Sequence, residues 1–118
     1  MAIAFGVRVS NFDFEISVDP AFDRSGGKAV LVKFSAPAVE LNVYVSIGDI
    51  GKVVDFGRGG CDYVLAGESA NNPVHWKREE GDVYILVGGD QDVWDVSIVA
   101  NNDLIYQMIF EIENFVRG

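Results

Sequence analysis

The single histidine, His75, and the single cysteine, Cys61, are the first residues to weigh for chemistry, because an imidazole beside a thiol can create a nucleophile. Their setting argues against that use. Cys61 follows the glycine-rich run Gly57-Arg-Gly-Gly60 and precedes Asp62, an anion where activation of a thiol calls for a cation. One histidine cannot build a histidine-rich metal site, and neither Cys-x-x-Cys nor His-Glu-x-x-His occurs. Gly88-Gly-Asp-Gln-Asp92 sets two aspartates two apart but lacks the other acidic positions and the distal glutamate of a calcium loop. Gly57 to Gly60 lacks the Gly-Lys-Ser/Thr of a phosphate cradle. Any two of the 18 carboxylates could converge for glycoside chemistry, but no pair is singled out. The expectation is no enzyme, no metal and no cofactor.

The carboxylates do carry a pattern. Glu79, Glu80, Asp82, Asp90, Asp92, Asp95, Asp103, Glu111 and Glu113 lie in a stretch, Glu79 to Val116, that contains no lysine or arginine. A one-sign segment of this kind presents a negative surface to basic partners. The whole chain has a net charge of −9, which disfavours nucleic acid and anionic membranes alike, since neither finds the clustered cations it needs.

Elements that could position these groups follow from periodicity. Alternation marks strands at Phe12 to Val18, Val30 to Phe34, Leu41 to Ile47, Val83 to Val87 and Trp94 to Ile98. Shorter apolar pieces at Ile3 to Val9, Val53 to Phe56 and Tyr63 to Leu65 read as further strands. Asp23-Arg-Ser-Gly-Gly27 and Gly88-Gly-Asp-Gln91 read as hairpin connections, and Gly67 to Pro73 as a loop. After Ala100 the period changes. Leu104, Ile105, Met108, Ile109, Ile112, Phe115 and Val116 form one helical stripe, with Asn101 or Asn102 available as its cap. The predicted fold is α+β: a mostly antiparallel sheet of about six to eight strands, sandwich- or half-barrel-like, with one C-terminal amphipathic helix packed on it.

At 118 residues and 49% hydrophobic composition, the chain reads as a single domain, 1–118, with enough apolar mass for one core. A lone cysteine precludes an intramolecular disulfide. The N-terminus lacks the pattern of a secretory signal, and no stretch approaches a membrane span. A cytoplasmic location is expected.

On these elements the acidic residues fall beside aromatics. Asp90, Asp92 and Asp95 cluster around Trp94, and Tyr84 lies on the neighbouring strand, opposite that strand's core stripe. On the helix, Tyr106, Phe110 and Glu113 are spaced i, i+4, i+7 beside the main stripe. Aromatics inside a charged rim are the composition of a protein-binding hot spot. These eight residues are the predicted partner-binding set, and the helix ridge is also a candidate homodimer contact.

The run Asp82 to Val99 followed by a capped helix, in a small acidic chain, resembles the immunity proteins of bacterial contact-dependent and polymorphic toxin systems. The resemblance is one of type and spans about 35 residues. It implies a cytosolic domain that neutralises one cognate basic toxin, often a nuclease, by stoichiometric binding. The alternatives are a structural subunit of a homo-oligomer and, further off, a small enzyme with a carboxylate site.

Overall fold

A computed structural model describes residues 14–37, 39–90 and 94–117, together with the backbone of 7–10. Eight strands form one sheet: β1 (Val7–Ser10), β2 (Glu15–Phe22), β3 (Lys28–Ala36), β4 (Val39–Ser46), β5 (Tyr63–Ser69), β6 (Asn72–Glu79), β7 (Asp82–Val87) and β8 (Val96–Ala100). Their order is β1-β8-β7-β6-β5-β4-β3-β2. Every neighbouring pair is antiparallel except β1 and β8. Two helices, α1 (Ile50–Gly57) and α2 (Asn102–Arg117), complete the α+β fold.

The sheet cannot be flat. Its edges, β1 and β2, are consecutive in the chain, and Ser10 and Glu15 are held within about 18 Å by five residues of fully extended backbone. Eight strands laid flat would separate those edges by roughly 34 Å. The sheet therefore curls as a half-barrel, and the helices occupy its inner face.

Alternation decides which side chains meet them. Ile16, Phe34 and Leu41 form one inward row, and Val18, Val32 and Val43 the next. Val64, Trp76, Ile85 and Ile98 form another. Trp76 anchors the interior, with ring centroids 6.5 Å from Phe34 and 6.4 Å from Phe56, and its indole N–H donates to the Ala66 carbonyl at 2.9 Å. The α2 stripe buries Ile105, Met108, Ile109 and Ile112 in the same cluster. Asn101 caps it: its side-chain oxygen accepts from the Leu104 N–H at 2.9 Å. Val116, the last member of the predicted stripe, is exposed.

Two local expectations are corrected. Val53 to Phe56 is not a strand but the body of α1, whose buried residues are Ile50, Val53, Phe56 and Gly57. The spacing is helical, and the β-branched content disguised it. Gly57 is the point of contact with α2, since a methyl group there would overlap the Ile109 side chain. Arg78 then closes α1, donating to the carbonyls of Phe56 at 3.0 Å and Cys61 at 3.1 Å while its guanidinium lies 4.7 Å from the Phe56 ring centroid. The second correction concerns Gly67 to Pro73. β5 and β6 are joined there by a two-residue turn, Ala70-Asn71, and both residues have positive φ (49° and 68°), the conformation that matches strand twist.

Candidate functional site

The outer face of the sheet, opposite α1 and α2, is unevenly covered by the described residues. One cross-strand row, Leu65, His75, Leu86 and Ser97, is buried from His75 onward. Another runs Tyr63, Lys77, Tyr84 and Val99, and a third Leu31, Tyr44, Glu68 and Pro73. Tyr44 and Tyr63 are each 40% exposed and Leu65 49%. These are large apolar side chains standing in water on one face.

His75 orders part of this face. Its Nε2 faces the Gly88 carbonyl at 3.2 Å, an atom that only accepts, so Nε2 carries the proton. Nδ1 is then the acceptor for the Tyr63 hydroxyl at 2.7 Å, and the phenol is fixed in direction. Cys61 packs against the interior cluster, whereas His75 belongs to the outer face, so the imidazole is committed to Tyr63 and not to the thiol. Ser97 Oγ is fully buried and has no hydrogen-bond partner among the described residues.

Beyond Leu65 the face dips into a cleft of about 460 Å³ lined by Tyr44, Ser46, Leu65, Gly67 and Pro73, with Asp23, Arg24, Asp49 and Glu68 around it. Its floor is the only register pair between β4 and β5, Tyr44 opposite Glu68, where the β5–β6 ladder shifts between Leu65 and Glu68. Gly67 makes that irregularity feasible. Its φ is +88°, and a Cβ would sit 3.0 Å from the Tyr44 carbonyl oxygen and 3.0 to 3.1 Å from the side chains of Val43 and Val45. A second hollow of about 270 Å³ continues past Arg24 towards Phe22 and Asn71.

The rim is polar and organised. The Asp23 carboxylate accepts from the Ser25 hydroxyl at 2.6 Å and from the backbone N–H groups of Gly27 at 2.8 Å and Ser25 at 2.9 Å. The Ser25 hydroxyl and these amides hold the Asp23 carboxyl below its ordinary value of 3.8. Asp49 pairs with Lys52 at 3.2 Å. Arg24 reaches across to Glu68 at 3.3 Å and to the Asn71 side-chain and backbone oxygens at 3.2 and 3.3 Å.

The eight residues expected from sequence do not make one surface. Tyr84 lies on the outer face, half-buried, in the same row as Tyr63. Asp90 and Asp95 are exposed near the β7–β8 connection with Trp94 half-buried beside them, while Asp92 lies outside the described residues. Tyr106 and Phe110 are 59% and 62% exposed, but they sit on α2, in the opposite layer. Glu113 is tied to Arg58 in an ion pair that joins the C-terminal ends of the two helices. Sequence reasoning missed Phe22, Tyr44, Tyr63 and Leu65. Alternation through Leu41, Val43 and Val45 already turns Tyr44 outward, and that was the available signal.

Among the described residues, no group of three or more His, Cys, Asp or Glu side chains is placed to hold a metal ion. No described helix is long and apolar enough to cross a membrane. Comparison of the chain with protein-family models, curated proteins and solved structures gives no match.

Proposed function

We propose that the chain is an acidic binding module that neutralises a basic protein, in the manner of an immunity protein occluding a cytoplasmic toxin. The observation that supports this reading is the set of exposed large apolar residues Tyr44, Tyr63 and Leu65, gathered on the sheet face opposite α1 and α2 and bordered by carboxylates. An antiparallel sheet that merely faces water alternates apolar-in with polar-out, and residues of this size on its wet side match the anchors of a protein interface. The hydrogen bond from Tyr63 to His75 adds pre-organisation, which reduces the entropy lost on docking.

In this mechanism the acidic last third steers and the tyrosine face holds. Net charge −9 raises the encounter rate with a cationic partner, and the buried anchors set the lifetime of the complex. The test is coexpression with basic toxin domains encoded beside the chain's own gene. Growth should be rescued, with a 1:1 complex on size exclusion. Reversing Asp90, Asp92 and Asp95 to lysine should then slow association, most strongly at low salt. An unchanged association rate and salt dependence would remove the steering mechanism. Failure to rescue or bind any such domain would remove the inhibitor reading.

A second reading rests on Tyr106 and Phe110, which stand four residues apart on the solvent side of α2. They could pair with a second copy and make the chain an assembly subunit. Light scattering across a concentration series separates the two: a monomer retires this reading, and a dimer abolished by Phe110→Ala supports it.

A further inference from the structure

Arg24 spans the outer face in a way that its bracing role does not exhaust. It leaves the β2–β3 turn, crosses to the β5–β6 hairpin 47 positions away, and ends on Glu68 and Asn71. Both hollows of the outer face are lined by Asp23, Arg24, Tyr44 and Glu68, so the guanidinium lies between them as a bar. With the bar displaced, the two hollows join into one groove. It would run from Phe22 past Tyr44 to Leu65, with Asp23, Glu68 and Asp49 along it.

The geometry points to a site for an arginine side chain of the basic partner, seated on Glu68 and Asn71 beside Tyr44 after displacing Arg24. This inference rests on the binding reading above and names its surface and its chemistry.

Three observations support it. The pocket already holds a guanidinium, so the spacing of the Glu68 carboxylate, the Asn71 amide oxygen and the Asn71 carbonyl suits that group. The resident ion pair is weakly held, because its side chains are 59% and 48% exposed and pairs of that kind add little stability. The charge balance also favours a cation here: Asp23, Asp49 and Glu68 line the larger hollow, and Arg24 together with the Lys52 partner of Asp49 leaves one carboxylate in excess. An incoming arginine would inherit the polar contacts. Its neighbours in the partner would in addition cover Phe22, Tyr44 and Leu65, which Arg24 alone leaves in water.

A fluorescein-labelled hexa-arginine peptide at low salt is the probe. Arg24→Ala should bind it about two- to fivefold more tightly than the unaltered chain, the gain expected when an exposed intramolecular competitor is removed. Adding Glu68→Gln should cancel the gain. Arg117→Ala, which removes one positive charge from the far end of α2, is the charge-matched control and should change affinity less. The site is overturned if Arg24→Ala binds no more tightly, if the gain survives Glu68→Gln, or if Arg117→Ala matches it. A basic protein partner that binds the Arg24→Ala/Glu68→Gln chain as it binds the unaltered one also overturns the site, and leaves the inhibitor reading standing.

Discussion

On the inner side of the sheet, Phe34 and Trp76 pack together at zero exposure under two helices, and Phe56 of α1 packs on the Trp76 ring from above. On the outer side, Tyr44 of β4 and Tyr63 and Leu65 of β5 meet solvent, although the same two strands send Val43, Val45 and Ala66 into the core. The same alternation builds both faces, so propensity does not distinguish them. What differs is the cover. Every large residue of the inner face contributes to folding, whereas the exposed outer residues have little folded-state burial to lose. Their apolar area becomes favourable only when something else covers it.

Trp76 is the sharpest place to break this comparison. Trp76→Ala removes the interior anchor and orphans the Ala66 carbonyl, and it should cost about 3–5 kcal/mol in urea denaturation. A cost near zero would mean that the helices are not the cover that makes the inner face a core. The matching change outside is the double substitution Tyr44→Ala/Leu65→Ala. Stability should stay within about 1 kcal/mol of the unaltered chain, while partner affinity, measured by calorimetry, falls by about 2 kcal/mol or more. If stability falls and affinity does not, the outer face is structural and the proposed docking surface is wrong.

How much of this could be read from the sequence depended on the length of each element. α2 runs for 16 residues, enough turns for its stripe at Leu104 to Phe115 to stand apart from the strand alternation before it. α1 has 8, and Ile50, Val53, Val54 and Phe56 supply the β-branched and aromatic content of a strand, so a window this short does not separate the helical period from the strand one. Ala70 in the left-handed region is rare for a residue with a Cβ, which made the β5–β6 turn look like a loop. The cleft was harder for another reason. It draws Asp23 to Ser25, Tyr44 to Asp49, Leu65 to Glu68 and Pro73 from separate parts of the chain, and only sheet topology brings them together. The acidic third was visible because it is contiguous, yet its aromatics divide between two layers.

Gly57 tests the helix side at finer scale. Glycine in the interior of an exposed helix usually gains stability on replacement by alanine, by about 1 kcal/mol. Here the added methyl would overlap Ile109 of α2, so Gly57→Ala should instead destabilise by about 1–3 kcal/mol. Pairing it with Ile109→Val, which removes one methylene, should recover part of the loss. A stabilised Gly57→Ala chain would show that the two helices are not in close contact there.

The smallest effect belongs to the outer rim, at Asp23. The Ser25 hydroxyl and the Gly27 N–H lower its folded pKa below 3.8. A carboxylate lowered on folding contributes stability that is fully present above its unfolded value and is lost as pH falls through the folded one. The stability difference between the unaltered chain and Asp23→Ala should therefore be constant near neutrality and shrink only below about pH 4. A carboxyl carbon titration by NMR reads the same property directly, and its midpoint should lie below 3.8. A midpoint at or above that value would mean that the β2–β3 turn does not hold the carboxylate in solution, and the ordered rim beside Arg24 would lose its support.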